Sequence, residues 1–286
     1  MSTVVSEVSD SSHSQELNVA ALQFAPQWQS PRASLDEIEA LVEAHLDPLS
    51  RCDLIVLPEM FATGFSLDET AAEEPGGAIF QWMKSLSKRL QAAVIGSVKV
   101  RDGDQLFNRL YWVQENPPLK GQGDSIIHYD KVHLFGAERK RISAGNQRVI
   151  VQYRGFRLFL QTCYDLRFPV FCRNVDDYDV LINIASWPKP RIAHWHALLR
   201  ARAIENLSFS IGVNRIGSDG NGWEYQGGTE IYSPLGECLA NAQNEQCEWV
   251  FATLSLQSLQ ETRQTFRFID DRDEFEWSRI QTQFWD

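Results

Sequence analysis

The chain has 286 residues, 43% hydrophobic and 23% charged, enough for one large core or two modest ones. Its 27 Lys and Arg against 38 Asp and Glu leave a formal net charge of -11, which disfavours nucleic acid and anionic membrane surfaces as partners. No apolar run approaches the ~20 residues of a membrane span. Five cysteines without Cys-x-x-Cys spacing suggest neither a disulfide framework nor a zinc site, and they point to a reducing, cytoplasmic setting.

Residues 1–16 are rich in Ser, Glu and Asp and lack the basic start and apolar centre of a signal peptide, so they read as a disordered tail. Leu17 to Phe24 is strand-like and closes at Pro26. Ser34 with Glu37 has the spacing of a capping box, followed by Ile38, Leu41, Val42 and Leu46 at helical intervals, with Pro48 near the end. Asp53 to Leu57 is a second strand, so the order suggests a βαβ-type unit. Ile79 to Leu90 predicts an amphipathic helix, and Ala93 to Val98 and Leu106 to Val113 predict strands. A turn is expected at Lys120 to Asp124 and a strand at Ile126 to Lys131. Val149 to Tyr153 and Phe156 to Thr162 form a predicted hairpin around Arg154-Gly155.

Val180 to Ala185 is a continuous apolar strand, His194 to Asn206 a helix and Ser208 to Asn214 a strand. Thr229 to Tyr232 and Glu248 to Leu254 are predicted strands flanking the Ser233-Pro234-Leu235-Gly236 turn. No repeat or flexible linker interrupts residues 17–254, which read as one α/β domain. Residues 255–286 form an extension whose Phe266, Phe268, Phe275, Trp277, Phe284 and Trp285 need cover, from this domain or from a second subunit.

Three residues share a context: Glu59, Lys131 and Cys163 each follow an apolar strand and open a loop. Loops at strand exits gather on one edge of an α/β sheet, where ligand sites form. Singly, Glu59 suits a turn, Lys131 a solvated surface and Cys163 a small buried hydrophobe. Together they are a base, a cation and a nucleophile. A thiol with a pKa near ~8.5 is only slightly ionised at neutral pH and needs a base or a cation beside it. A partly buried carboxylate can take that proton. A lysine facing the developing oxyanion contributes roughly 3 kcal/mol, and the backbone N–H of Tyr164 is the natural second donor.

Leu57-Pro58-Glu59, Tyr129-Asp130-Lys131-Val132-His133-Leu134-Phe135 and Cys163-Tyr164-Asp165-Leu166-Arg167-Phe168-Pro169 resemble the three signatures of the nitrilase (carbon–nitrogen hydrolase) superfamily, nearest to its omega-amidase branch. Arg202-Ala203-Ile204-Glu205-Asn206 and Gly217 to Gly222 are supporting blocks, and the resemblance spans about residues 17 to 265. It implies an α/β fold, the αββα sandwich, dimerising to αββα–αββα, with a Glu-Lys-Cys triad and no metal or cofactor. Carried over, Cys163 would be the nucleophile, Glu59 the general base and Lys131 the oxyanion stabiliser. Glu138, ahead of Ser143-Ala144-Gly145, matches the family's second glutamate, in a shorter loop than many relatives have.

The omega-amidase branch hydrolyses small dicarboxylic monoamides such as 2-oxoglutaramate and 2-oxosuccinamate. The resemblance therefore implies a small amide substrate whose free carboxylate needs an arginine. Arg167 is the first candidate, although it could instead pair with Asp165, and Arg191 and Arg215 come next. Phe61, Trp187 and Tyr164 are candidate pocket walls. N-carbamoyl-acid or nitrile hydrolysis on the same triad, and a non-catalytic module with a redox-sensitive Cys163, are the other readings. Glu205 is expected to pair with Arg202, His194 and His196 to pack or lie on the helix surface, and His133, beside Lys131, to pack or else to help shape the site.

Overall fold

The computed structural model describes residues 15–68, 71–115, 126–276 and 278–285. The first half of the chain runs β1 (Glu16–Gln23), α1 (Pro31–Ala44), α2 (Leu46–Leu49), β2 (Leu54–Val56), α3 (Ala78–Leu90), β3 (Ala93–Asp102), β4 (Gln105–Val113) and β5 (His128–Asp130). Then come β6 (Gln147–Tyr153), β7 (Phe156–Thr162), α4 (Pro169–Cys172), β8 (Val180–Ala185), α5 (Ile192–Asn206) and β9 (Phe209–Asn214). The last part holds β10 (Ile216–Ser218), β11 (Glu224–Gln226), β12 (Glu230–Tyr232), β13 (Cys238–Asn241), β14 (Glu248–Ser255), α6 (Leu256–Thr265) and β15 (Gln281–Trp285).

Among the described residues the strands form two large sheets, ordered β14-β1-β2-β3-β4-β5 and β13-β12-β9-β8-β7-β6-β15, with β10 and β11 as a separate hairpin. The alternation along β1 shows how they stack. Leu17, Val19 and Ala21 enter one core with Leu54, Val56, Leu158 and Leu160. Ala20 and Leu22 enter a second core with Ile38 and Val42 of α1 and Met83, Leu86 and Leu90 of α3. The first core continues under α5 through Trp195, Leu199 and Ala203. The layers are therefore helix, sheet, sheet, helix, the expected αββα sandwich. A Cβ on Gly212 of β9 would meet Leu199 Cδ1 at 2.2 Å, so α5 can lie this close only over a glycine.

The departures from expectation have local causes. Glu16 pairs with Ser255 and the Gln15 carbonyl accepts from Leu256 N at 3.0 Å, so residues 15 and 16 belong to the sheet rather than a tail. Residues 1–14 of that tail, the Lys120–Asp124 turn and Trp277 lie outside the described residues. Pro31 starts α1 ahead of Ser34 because its fixed φ suits the first helical position. Ser34 is buried and its hydroxyl accepts from Gln27 N at 2.9 Å, so it caps nothing. The strand after the Ser233–Gly236 turn is β13, which pairs with β12, whereas β14 crosses to the other sheet beside β1. Part of the extension packs on its own chain: β15 lies parallel to β6, with Trp285 buried, whereas Phe266, Phe268 and Phe284 stay exposed.

Candidate active site

β1, β2 and β3 run parallel, and β5 shares their direction through two antiparallel steps across β4. β7, β8 and β9 are parallel in the other sheet. The exits of β2, β5, β7, β8 and β9 carry Glu59, Lys131, Cys163, Ser186 and Asn214, as the strand-exit argument requires.

Lys131, wholly buried, is the hub. Its Nζ donates to Glu59 Oε1 at 2.9 Å and to both oxygens of Glu138 at 3.0 and 2.9 Å. Asn108 Nδ2 donates to Glu59 Oε1 at 2.8 Å, and the Ser186 amide donates to Glu59 Oε2 at 2.7 Å. The Phe135 amide holds Glu138 Oε2 at 2.7 Å, so the shorter loop still delivers the second glutamate. Cys163 has φ 49°, a left-handed conformation that costs a non-glycine residue roughly 1–2 kcal/mol. A short 3-10 turn, Cys163–Arg167, follows it, and Asp165 ties the turn down. The Asp165 carboxylate accepts from Thr162 N, Tyr129 Oη and His133 N at 2.9, 2.7 and 2.9 Å.

Two carboxylates face one ammonium in a dry site, which governs the ionisation. Burial pushes the Cys163 thiol well above the usual thiol range, Glu59 adds to that push, and Lys131 opposes it. Burial alone would lower the Lys131 pKa, but Glu138 and Glu59 outweigh it and hold the ammonium charged. Burial also raises Glu138 above the ordinary carboxylate value, against the pull of Lys131 and with the help of Glu59. A free thiolate here would be opposed by burial, Glu59 and Glu138 and favoured by Lys131, so a group that can take its proton is needed beside it. Such a cluster can pass a proton from sulfur to carboxylate while a fixed cation waits for an oxyanion.

Cys163, Lys131 and Ser186 line a cavity of about 390 Å³ whose walls include Phe65, Phe135, Tyr164, Trp187, Trp223 and Tyr225. Arg167 and Arg191 also face it. The Arg167 guanidinium stacks 4.6 Å over Trp187, and its Nη2 lies 3.1 Å from His194 Nδ1. Arg191 sits between Phe135 and Trp223, at 5.0 and 5.4 Å. Among the described residues neither arginine has a carboxylate partner; Asp165, once a possible partner for Arg167, is used inside the turn.

Phe61 is not a pocket wall. The turn after Glu59, with Met60 at φ 47°, swings its ring into the core under α3, 5.8 Å from Trp82 and over Gly96. Arg215 does not line the cavity; it lies buried behind Tyr225. His133 stacks on Phe168 at 3.7 Å, His196 lies 2.8 Å from Glu230, and Arg202 pairs with Glu205 at 2.8 Å. Sequence reasoning missed Asn108, although a buried Asn between Leu106 and Leu110 on one face of β4 was a usable signal. Ser186 and Asn214 act through backbone geometry: Asn214 clamps Trp187 by accepting from its N–H at 2.8 Å and donating to its carbonyl at 3.0 Å.

The carbon-nitrogen hydrolase family model matches residues 18–264. The omega-amidase YafV of Escherichia coli K12 is 39% identical over 261 residues, covering 91% of this chain and 98% of that protein. The 2-oxoglutaramate amidase of Bacillus subtilis is 33% identical, covering 88% and 96%. A CN-hydrolase superfamily protein of Xanthomonas campestris, crystallised with an arsenic adduct in its active site, superposes with a TM-score of 0.84 at 38% identity, covering 92% and 99%. The layers, the order of the three signatures and these matches agree: the chain belongs to the carbon-nitrogen hydrolase family.

Proposed function

We propose that this chain is an omega-amidase that hydrolyses the terminal amide of small dicarboxylic monoamides, such as 2-oxoglutaramate and 2-oxosuccinamate, to acid and ammonia. The observation that carries this is the meeting in one cavity of Cys163 and Lys131 with two guanidiniums, Arg167 and Arg191, that have no carboxylate partner among the described residues. A cationic wall of this kind suits a substrate whose far end is a carboxylate. The names of the relatives, omega-amidase and 2-oxoglutaramate amidase, support the same reading.

Glu59 takes the Cys163 proton as sulfur attacks the amide carbon, and Lys131 with the Tyr164 N–H holds the oxyanion. Collapse expels ammonia, protonated by Glu59, and leaves a thioester. Glu59 then activates water, which releases the acid and returns the proton to sulfur. Glu138 keeps Lys131 aimed. The enzyme is proposed to work as a cytoplasmic homodimer; its five free cysteines suit a reducing compartment.

The test is ammonia release from 2-oxoglutaramate, glutamine, an N-carbamoyl amino acid and a nitrile. 2-Oxoglutaramate is expected to be turned over best; preference for the carbamoyl compound or the nitrile would replace the substrate assignment. Cys163→Ala, with the fold retained, is expected to lose more than a thousandfold (order of magnitude ~10³ or greater) in turnover. Intact mass after mixing wild-type protein with substrate should show the acyl adduct, which a purely redox thiol would not form.

A further inference from the structure

Arg167 and Arg191 face one cavity, and no Asp or Glu is among the described residues that line it. Burial lowers the Arg167 pKa from the ordinary guanidinium value, and Arg191 adds to that. A carboxylate beside Arg167 would relieve both effects, yet the side chain that bonds it is an imidazole. Arg167 closes the turn Cys163–Arg167, and its Nη2 lies 3.1 Å from Nδ1 of His194, in the first turn of α5. A guanidinium can only donate, so Nδ1 accepts and the ring proton sits on Nε2, a form without charge.

Trp187 provides the second hold, its ring centre 4.6 Å from the guanidinium carbon. The indole is itself fixed: its N–H donates to the Arg191 carbonyl at 2.8 Å, and its backbone is clamped by Asn214. Arg167 therefore lies on a fixed ring with one edge tied. It makes no other hydrogen bond among the described residues, so most of its N–H groups are left for a ligand. The chemistry of the tie matters. Asp or Glu in place of His194 would hold the guanidinium at least as firmly, but would neutralise it and compete with any anion in the cavity. An uncharged acceptor orients the group and leaves its whole charge available.

We propose that His194 is a positioning residue for the substrate: its uncharged Nδ1 fixes the Arg167 guanidinium without neutralising it, so that Arg167 can take the free carboxylate of the amide. His194 touches no substrate and acts through Arg167. The proposal rests on the reading above, in which the cavity arginines meet that carboxylate, and it names what keeps one of them in place.

The isosteric pair His194→Asn and His194→Asp decides it, because both put an oxygen near the place of Nδ1 and they differ in charge. His194 is exposed, so neither substitution opens the core. With 2-oxoglutaramate, His194→Asn is expected to keep KM within about twofold of the wild type, His194→Ala to raise it about threefold and His194→Asp about tenfold, with the effect in KM rather than kcat. The ranking should vanish in an Arg167→Met background, and with pentanamide, which has the same chain length and no carboxylate. His194→Asp no worse than His194→Asn, a silent His194→Ala, or a ranking that survives without Arg167 or persists with pentanamide overturns the proposal. A wild type that does not turn over 2-oxoglutaramate, or an Arg167→Met variant with the wild-type KM, sinks the carboxylate reading and this proposal with it. A clear Arg167→Met effect beside silent His194 variants sinks this proposal alone.

Discussion

A carboxylate buried beside another carboxylate destabilises the fold, and Glu138 is in that position. Its pKa is raised, by burial first, so ionising it costs more in the folded chain than in the unfolded one. The sign follows: the folded state is best off below the ordinary carboxylate range and loses stability as pH rises through the folded pKa. Glu138→Gln removes that cost together with one of the two charges that hold the buried Lys131 ammonium, leaving Glu59, 2.9 Å away in the wild type, as its partner. It is expected to melt at or above the wild-type temperature at neutral pH, with the difference narrowing toward acid, and yet to lose turnover by roughly tenfold to a hundredfold. Thermal melts at two pH values beside steady-state rates check both halves; a lower melting temperature at neutral pH would show that the pairing outweighs the burial. In the cavity wall, Arg167 is held by Trp187 and His194 rather than by an acid. Arg167→Met should raise KM for 2-oxoglutaramate by about tenfold to a hundredfold, the value of one lost charge-assisted bond. The same variant should handle a neutral amide without a carboxylate as the wild type does, which a general packing defect would not allow.

At the scale of elements, the chemistry was legible where strands end abruptly. Glu59, Lys131 and Cys163 each close an apolar run with a polar residue, and the sheet directions bring those exits to one edge. Asn108 could be read only as a polar residue on an apolar face of β4; which partner it would meet, Glu59, depends on a contact 49 residues away that the strand pattern does not give. Phe61 was misplaced because the reversal at Met60 is invisible in residue type; most residues with positive φ are glycine, and this one is methionine. The capping box failed because Pro31 offered an earlier start. β13 escaped because Cys238–Asn241 is short, largely exposed and only weakly apolar. The extension is the instructive case, since its aromatics asked for cover without saying whose. β15 answers by adding to the edge of β6, with Trp285 8% exposed. Trp285→Ala is therefore expected to cost roughly 3 kcal/mol of stability, read from denaturant unfolding, while KM stays unchanged. A rise in KM would instead mean that the strap shapes the cavity.

At the scale of the molecule, the outer helical layer over the second sheet carries apolar groups that a chain of net charge -11 has little reason to leave in water. Ile204 of α5 is 40% exposed, Leu235 43%, and Phe266 and Phe268 43% each. Ile204 and Leu235 are neighbours through the fold, and α6, which leads to Phe266 and Phe268, is tied to the end of α5. The Ser233–Gly236 turn sits against Ile204, and Arg263 of α6 donates to the Leu207 carbonyl at the end of α5 at 2.9 Å. A second copy presenting the same face would cover Ile204 and Leu235, as a two-fold interface requires. The same helix reaches the active site: Arg202 donates to the Leu166 carbonyl of the nucleophile turn at 2.7 Å, and His194 at its other end meets Arg167. Pairing two copies along α5 would therefore steady both the turn that presents Cys163 and the arginine that faces the substrate. Sedimentation of the wild type is expected to give twice the 32.7 kDa of one chain, and Ile204→Asp with Leu235→Asp to give a folded monomer. The monomer should show a raised KM and slower alkylation of Cys163. If it dissociates but keeps wild-type values for both, the interface and the site are independent; if the wild type itself sediments as a monomer, the dimer is refuted.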